Sequence, residues 1–260
     1  MTAGSILSIG RNFWNIRGDL RIAGVVNIGT QMSLAKRANG QYVLLDACGL
    51  DDERRAFVDQ ETGDGRHLEA VLHLHPFHTL FVEELHRRYP HAKLYGTARH
   101  KGHAPDLPWQ PELTNEAACH ALFAEDFDFS VPRGVDFIPA NESLHFSSVL
   151  AFHRASRTLH VDDTLCYVRI PKVLSFIKQD LLGFHPTLSK VLERRAGAVS
   201  DFRAWTKELV AHSRDVENVC AAHLHTLMHA ESGGVSISAR IEKAARDLEP
   251  KLTAHERRFG

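Results

Sequence analysis

From its amino terminus the chain shows short alternating runs before any helical spacing. "VVNIGTQMSLAKRANGQYVLLDACG" predicts strands over Val25 to Ile28, Met32 to Lys36 and Tyr42 to Leu45, with Asn39-Gly40 as the hairpin turn. A charged, mixed stretch from Glu53 to Leu68 predicts a helix and a glycine-containing loop, and "EAVLHLH" then alternates as a strand that Pro76 should end at His75. Thr79 is placed to cap a helix that Tyr89-Pro90 stops. "AKLYGTARH" predicts a further strand, Lys101 to Asn115 a proline-rich loop, and "EAACHALFAE" a helix. The runs "VDFIPA", "SSVLAFH" and "TLHVDDTLCY" predict a second strand-rich block, followed by two or three helices over Pro171 to Ser213. A last strand, "NVCAAH", and a charged amphipathic helix over Ser238 to Phe259 complete the pattern. No internal repeat or flexible linker divides it, so the expectation is one domain over residues 1–260 with a helical insertion at about 171–213.

Composition narrows the partners. Lys and Arg total 31 against 32 Asp and Glu, without long blocks of one sign, so nothing favours nucleic acid or an anionic membrane. With no leader-like segment and no apolar run of spanning length, a cytoplasmic protein acting on a small molecule is expected. The four cysteines lie far apart with no C-x-x-C spacing, which predicts reduced, buried thiols rather than disulfides or a thiolate metal site. Phe13 and Trp14 are expected in packing, and His100 and His103 could line a pocket mouth.

Histidine changes the picture. There are 18, more than the 17 glycines, so many must be bystanders, yet three fall within six positions of "HLHPFH". On a strand, residues two apart share a face, so His73 and His75 should project together, and His78 lies one turn onward. Three imidazoles could then converge on one ion. Two later strands end in further ligand types, Asp162-Asp163 and His223, and strand ends are where such scaffolds present their chemistry.

These segments together resemble the metallo-β-lactamase fold superfamily. "HLHPFH" matches its H-x-H-x-D-H motif at His73, His75 and His78. "DDTLCY" is similar to its G-D-T-L-F segment, which assigns the bridging aspartate to Asp163 rather than Asp162. "NVCAAHL" resembles V-V-P-G-H-G and points to His223 over His225, and the opening hairpins are also similar. The resemblance implies an α/β fold, a four-layer αβ/βα sandwich of two mixed sheets flanked by helices. It also implies zinc, or alternatively iron, held by His73, His75, His78, His145, Asp163 and His223, with Asp163 and His78 as catalytic residues.

The chain departs from that pattern twice. Phe77 stands where the motif has its aspartate and has no lone pair to give. "IPANESLH" places Asn141 where the family has a histidine, with His145 four residues on as a stand-in. One ion per chain is therefore expected. The implied activity is hydrolysis of an ester, thioester, lactone or similar acyl bond by a metal-activated water. A protein that keeps the fold to bind metal or ligand, and an iron-dependent redox protein, are the alternatives.

Overall fold

The computed structural model describes residues 5–22, 26–169, 180–223 and 225–260. The first half of the chain runs β1 (Ile6–Gly10), β2 (Phe13–Gly18), β3 (Arg21–Ile22), β4 (Val26–Asn27), β5 (Thr30–Lys36), β6 (Tyr42–Leu45), α1 (Asp52–Thr62), β7 (Leu68–Leu72), α2 (Val82–Arg88), β8 (Lys93–Gly96), α3 (Ala98–His103) and β9 (Trp109–Leu113). The second half runs α4 (Ala117–Leu122), β10 (Phe127–Ser130), β11 (Leu150–His153), β12 (Thr158–Val161), β13 (Leu165–Val168), β14 (Leu181–Phe184), α5 (Leu188–Val191), α6 (Ala198–His212), β15 (Asn218–Ala221), β16 (Thr226–Leu227) and α7 (Ile237–Phe259).

Two sheets carry the fold. The first is seven-stranded, in the order β1-β2-β5-β6-β7-β8-β9, and the second five-stranded, β10-β11-β12-β15-β16. Both are mixed: the pairs β6–β7, β7–β8, β8–β9 and β12–β15 are parallel, while the remaining pairs are antiparallel. Alternation along the strands explains the layering. Leu45, Leu72, Val149, Ala151 and Cys220 share one buried cluster between the sheets. The other face of the first sheet packs Leu44 and Val71 against Val58 of α1 and Leu85 of α2. The other face of the second sheet packs Leu159 and Val219 against Phe202, Trp205 and Leu209 of α6 and Ile241 of α7. The expected four-layer sandwich is the observed one.

Several elements differ from expectation for local reasons. The strand before the histidines ends at Leu72, not His75. Its ladder stops because the peptide N–H groups of Leu74 and His75 turn to the Asp46 carboxylate, at 2.8 and 3.4 Å. The helix that follows starts at Val82 behind Phe81, with no side-chain cap from Thr79. The expected proline-rich loop contains the end of α3 and the edge strand β9, where Pro111 is tolerated because the edge leaves its nitrogen unpaired. "VDFIPA" forms only one isolated bridge, Val135 with Leu192, while the short "FDFS" forms β10 instead. "TLHVDDTLCY" breaks at Asp162 into β12 and β13, which belong to different sheets.

The expected helical insertion is also mixed. Residues 171–179 lie outside the described residues, but Leu181–Phe184 is a strand paired with β13. Helix α6 covers the outer face of the second sheet rather than capping the strand ends, because its Phe202, Trp205 and Leu209 stripe is fully apolar and Trp205 donates to Ser130 Oγ at 2.8 Å.

Candidate metal centre

The site begins with Asp46. It follows the apolar β6 in the left-handed region, φ 59°, which aspartate tolerates better than a branched residue. This turn points its carboxylate at the segment after β7, and the two N–H bonds described above pull residues 74–75 out of the sheet. His75 is thereby buried with Nδ1 accepting from the Phe77 peptide N–H at 3.2 Å, which leaves Nε2 facing Asp163 Oδ2 at 3.4 Å. The His78 N–H donates to the His75 carbonyl and its ring stacks on that of His75, centroids 4.0 Å apart.

Asp163 is the hub. It sits, buried, in the break between β12 and β13, within reach of four imidazoles. Besides His75, these are His78 (Nε2, 3.7 Å), His145 (Nδ1, 3.9 Å) and His223 (Nε2, 2.8 Å). His78 also reaches Asp162 Oδ1 through Nδ1, at 3.6 Å.

His223 lies just beyond β15 at φ 69°, and two contacts hold it there. Its Nδ1 lies 3.2 Å from the Gly29 carbonyl, and a Cβ on Gly29, itself at φ 69°, would come within 2.9 Å of the His223 carbonyl, so this approach requires glycine. Arg17 of β2 donates to the carbonyls of Ala221 (2.8 Å) and His223 (3.0 Å) and to Thr226 Oγ1 (2.6 Å).

Of the residues singled out from the sequence, His75, His78, His145, Asp163 and His223 meet in this way. His73 does not join them. It keeps the alternation of β7, with its N–H on the Tyr95 carbonyl at 2.9 Å and its ring on the Val71 face against His100 (5.2 Å) and Trp109 (5.9 Å), both nitrogens unpartnered; it is His75, past the bonds to Asp46, that leaves that face. His100 is buried in that contact and not at a pocket mouth. Asn141 stays exposed, its Oδ1 accepting from the Ser143 N–H and hydroxyl in a local turn, so His145 is the one that reaches the centre. Sequence reasoning missed Asp46 and Arg17. Asp46 had a weak signal as the charged end of "YVLLD", and Arg17 had none.

The electrostatics follow from burial against charge. Burial depresses the His75 pKa to about 3, with His78 adding to the effect, and burial alone depresses that of His73 to about 3. Burial also works against protonating His78, but the Asp162 and Asp163 carboxylates outweigh it and hold its pKa well above that of a free imidazole. For His223 burial is likewise outweighed, by Asp163. Burial would raise Asp163, yet His223 and His78 hold it well below the usual carboxylate range.

The donor set fits a cation. His75 Nε2 and Asp163 Oδ1 are buried without a hydrogen bond, and His223 Nε2 approaches that oxygen at 2.8 Å without hydrogen-bond alignment. Such orphaned, converging lone pairs are costly alone and are satisfied by one ion. Nitrogen and carboxylate oxygen suit zinc, and iron equally. The four thiols offer no alternative, since burial pushes each up to about 12. His78, His145 and His223 also line a cleft of about 150 Å³ whose walls include Leu20, Ile28, Phe77 and Leu80.

No family model matches the chain, and no curated protein matches it in sequence. Solved structures match its fold. The DIM-1 metallo-β-lactamase exposed to ceftazidime aligns with TM-score 0.58 at 12% identity, over 93% of this chain and 96% of that one. A metallo-β-lactamase from Erythrobacter litoralis, with β-mercaptoethanol in its active site, aligns with TM-score 0.58 at 11% identity, over 95% and 99%. The metallo-β-lactamase FIM-1 from Pseudomonas aeruginosa in its mono-zinc form aligns with TM-score 0.51 at 9% identity, over 92% and 95%.

Proposed function

We propose that this chain, which has the metallo-β-lactamase fold, is a metal-dependent hydrolase of an ester, thioester, lactone or similar acyl bond in a small molecule. The observation that carries the reading is the convergence of His75, His78, His145 and His223 on the buried Asp163 beside a cleft. His75, His145, His223 and Asp163 would hold one zinc ion. When bound, the ion supplies Lewis acidity to an acyl carbonyl and acidifies a water.

The chain's own residues supply the rest. Leu20, Ile28 and Leu80 give the cleft an apolar wall that takes up the non-reacting part of the substrate and excludes water. His78, between the Asp162 and Asp163 carboxylates and open to the cleft, is placed to pass a proton to the departing oxygen, sulfur or nitrogen. Asp163, held anionic, balances the cation. The four unpaired thiols support a cytoplasmic location. Among the described residues no helix is long and apolar enough to cross a membrane.

Metal analysis of the protein purified without added metal, followed by assay on esters, thioesters and lactones, tests the reading. Bound zinc and acyl hydrolysis, both lost in His75→Ala, are expected. Retained metal with no hydrolysis of any of these would favour a binding role instead.

A further inference from the structure

Phe77 replaces a carboxylate in the resembled motif, and counting ligands alone makes that a loss. Its contacts point elsewhere. The Phe77 ring lies nearly parallel to the His145 imidazole, at 11° with centroids 5.1 Å apart. The Arg99 guanidinium sits over the same ring, 4.6 Å from its centroid, and its Nη1 pairs with Glu142 Oε1 at 2.8 Å. Glu142 belongs to the loop that delivers His145, so Arg99 ties Phe77 and that loop together.

His145 needs such support. It belongs to no helix or strand, its side chain is 41% exposed, and its backbone carbonyl accepts one bond, from Thr187 Oγ1 at 3.1 Å. A half-exposed imidazole on a loop samples several rotamers, and ordering it for ligation costs on the order of 1 kcal/mol. A flat aromatic platform restricts those rotamers in the free protein. It leaves Nδ1 directed to Asp163 Oδ2 at 3.9 Å and the ring 5.9 Å from that of His75.

We propose that Phe77 is a positioning residue: stacked on His145 and tied to its loop through Arg99 and Glu142, it presents that imidazole as a ligand. This rests on the metal centre proposed above. The chain has thus exchanged a ligand at position 77 for a platform that brings in a ligand from the loop at 145.

The test is a double-mutant cycle on zinc affinity, measured by competition with a chromophoric chelator, for the unmodified protein, F77L, H145A, the F77L/H145A double variant and F77Y. F77L should weaken zinc by about tenfold, the usual scale for a group that orients a ligand, and H145A, which removes the ligand itself, by at least as much. The double variant should lose no more than H145A alone, since Phe77 acts through His145. F77Y, which keeps the flat ring, should stay within about twofold of the unmodified protein. The cobalt-loaded F77L and H145A proteins should share one altered visible spectrum. Losses that multiply in the double variant, or an F77L protein that binds like the unmodified one, overturn the proposal while leaving the metal centre standing. If F77L does not fold, an H145A protein with unchanged affinity overturns it alone. Absence of zinc binding by the unmodified protein would overturn the metal centre, and this inference with it.

Discussion

Asp162 and Asp163 are neighbours in the chain and both are buried, yet they belong to two different histidine–carboxylate clusters. Around Asp162, the polar atoms are mostly answered by protein. Asp46 Oδ1 takes two peptide N–H groups, Asp46 Oδ2 meets His160 Nε2 at 3.1 Å, and His160 Nδ1 meets Ser33 Oγ at 2.9 Å. Gln31 donates to Asp162 Oδ1 at 3.2 Å, and Asn15 donates to Ser33 at 3.0 Å; only Asp162 Oδ2 lacks a partner in this cluster. Around Asp163, by contrast, imidazoles approach with lone pairs that protein donors do not fill, beside an open cleft. Residue types do not separate a structural network from a metal centre. Unfilled lone pairs with access do.

The sharpest way to break this comparison is Asp163→Ala. Zinc affinity should fall by at least about a thousandfold, roughly 4 kcal/mol, by chelator competition, with the metal-free fold intact by circular dichroism. A loss under tenfold would mean the two clusters are not distinct in role.

Asp46→Ala should do the reverse, acting first on folding. It strips the acceptor from two buried N–H groups and should cost about 3 kcal/mol in urea denaturation. A stability change below about 0.5 kcal/mol would show that water replaces the carboxylate at little cost.

A third measurement is stability against pH. His73 and His153 are buried neutral, their pKa values depressed by burial to about 3 and about 4. The unfolded chain binds these protons first, below its ordinary imidazole pKa, so their stabilisation is complete above that value and is lost as pH falls toward the folded values. From pH 7 to 5 each should cost on the order of 2 kcal/mol, and a profile for His73→Phe shallower by about that amount would identify that ring as one source.

The smallest effect is expected at Cys166. It lies three residues from Asp163, but burial pushes its thiol up to about 12, so Cys166→Ala should leave hydrolysis within about twofold.

Much of the centre was legible because its residues sit just beyond short apolar strands: His75, His78, Asp163 and His223 follow β7, β12 and β15. His73 and His75 were expected on one face, but alternation holds only through Leu74, and a side chain from position 46 turns the backbone before His75. No local pattern shows that. The network of Asn15, Gln31, Ser33, Asp46 and His160 was silent for the same reason, since its members come from distant segments and meet only when the sheets close. β9 was hidden by its proline-rich surroundings, and β14 by the helical spacing around it.

The Arg17 clamp has a consequence for the life of the chain. It runs from the first sheet to the carbonyls beside His223 in the second, and the ligands divide the same way: His75 comes from the first sheet's side, His145, Asp163 and His223 from the segments of the second. A chain emerging from the ribosome as far as β9 carries imidazoles without their aspartate, and the later half carries the aspartate without His75. Neither half by itself offers an ion the full set. Metal retention at the proposed centre would therefore work as a coincidence signal that both halves are present and correctly apposed, with an ion captured last and locking an assembly it had no part in starting.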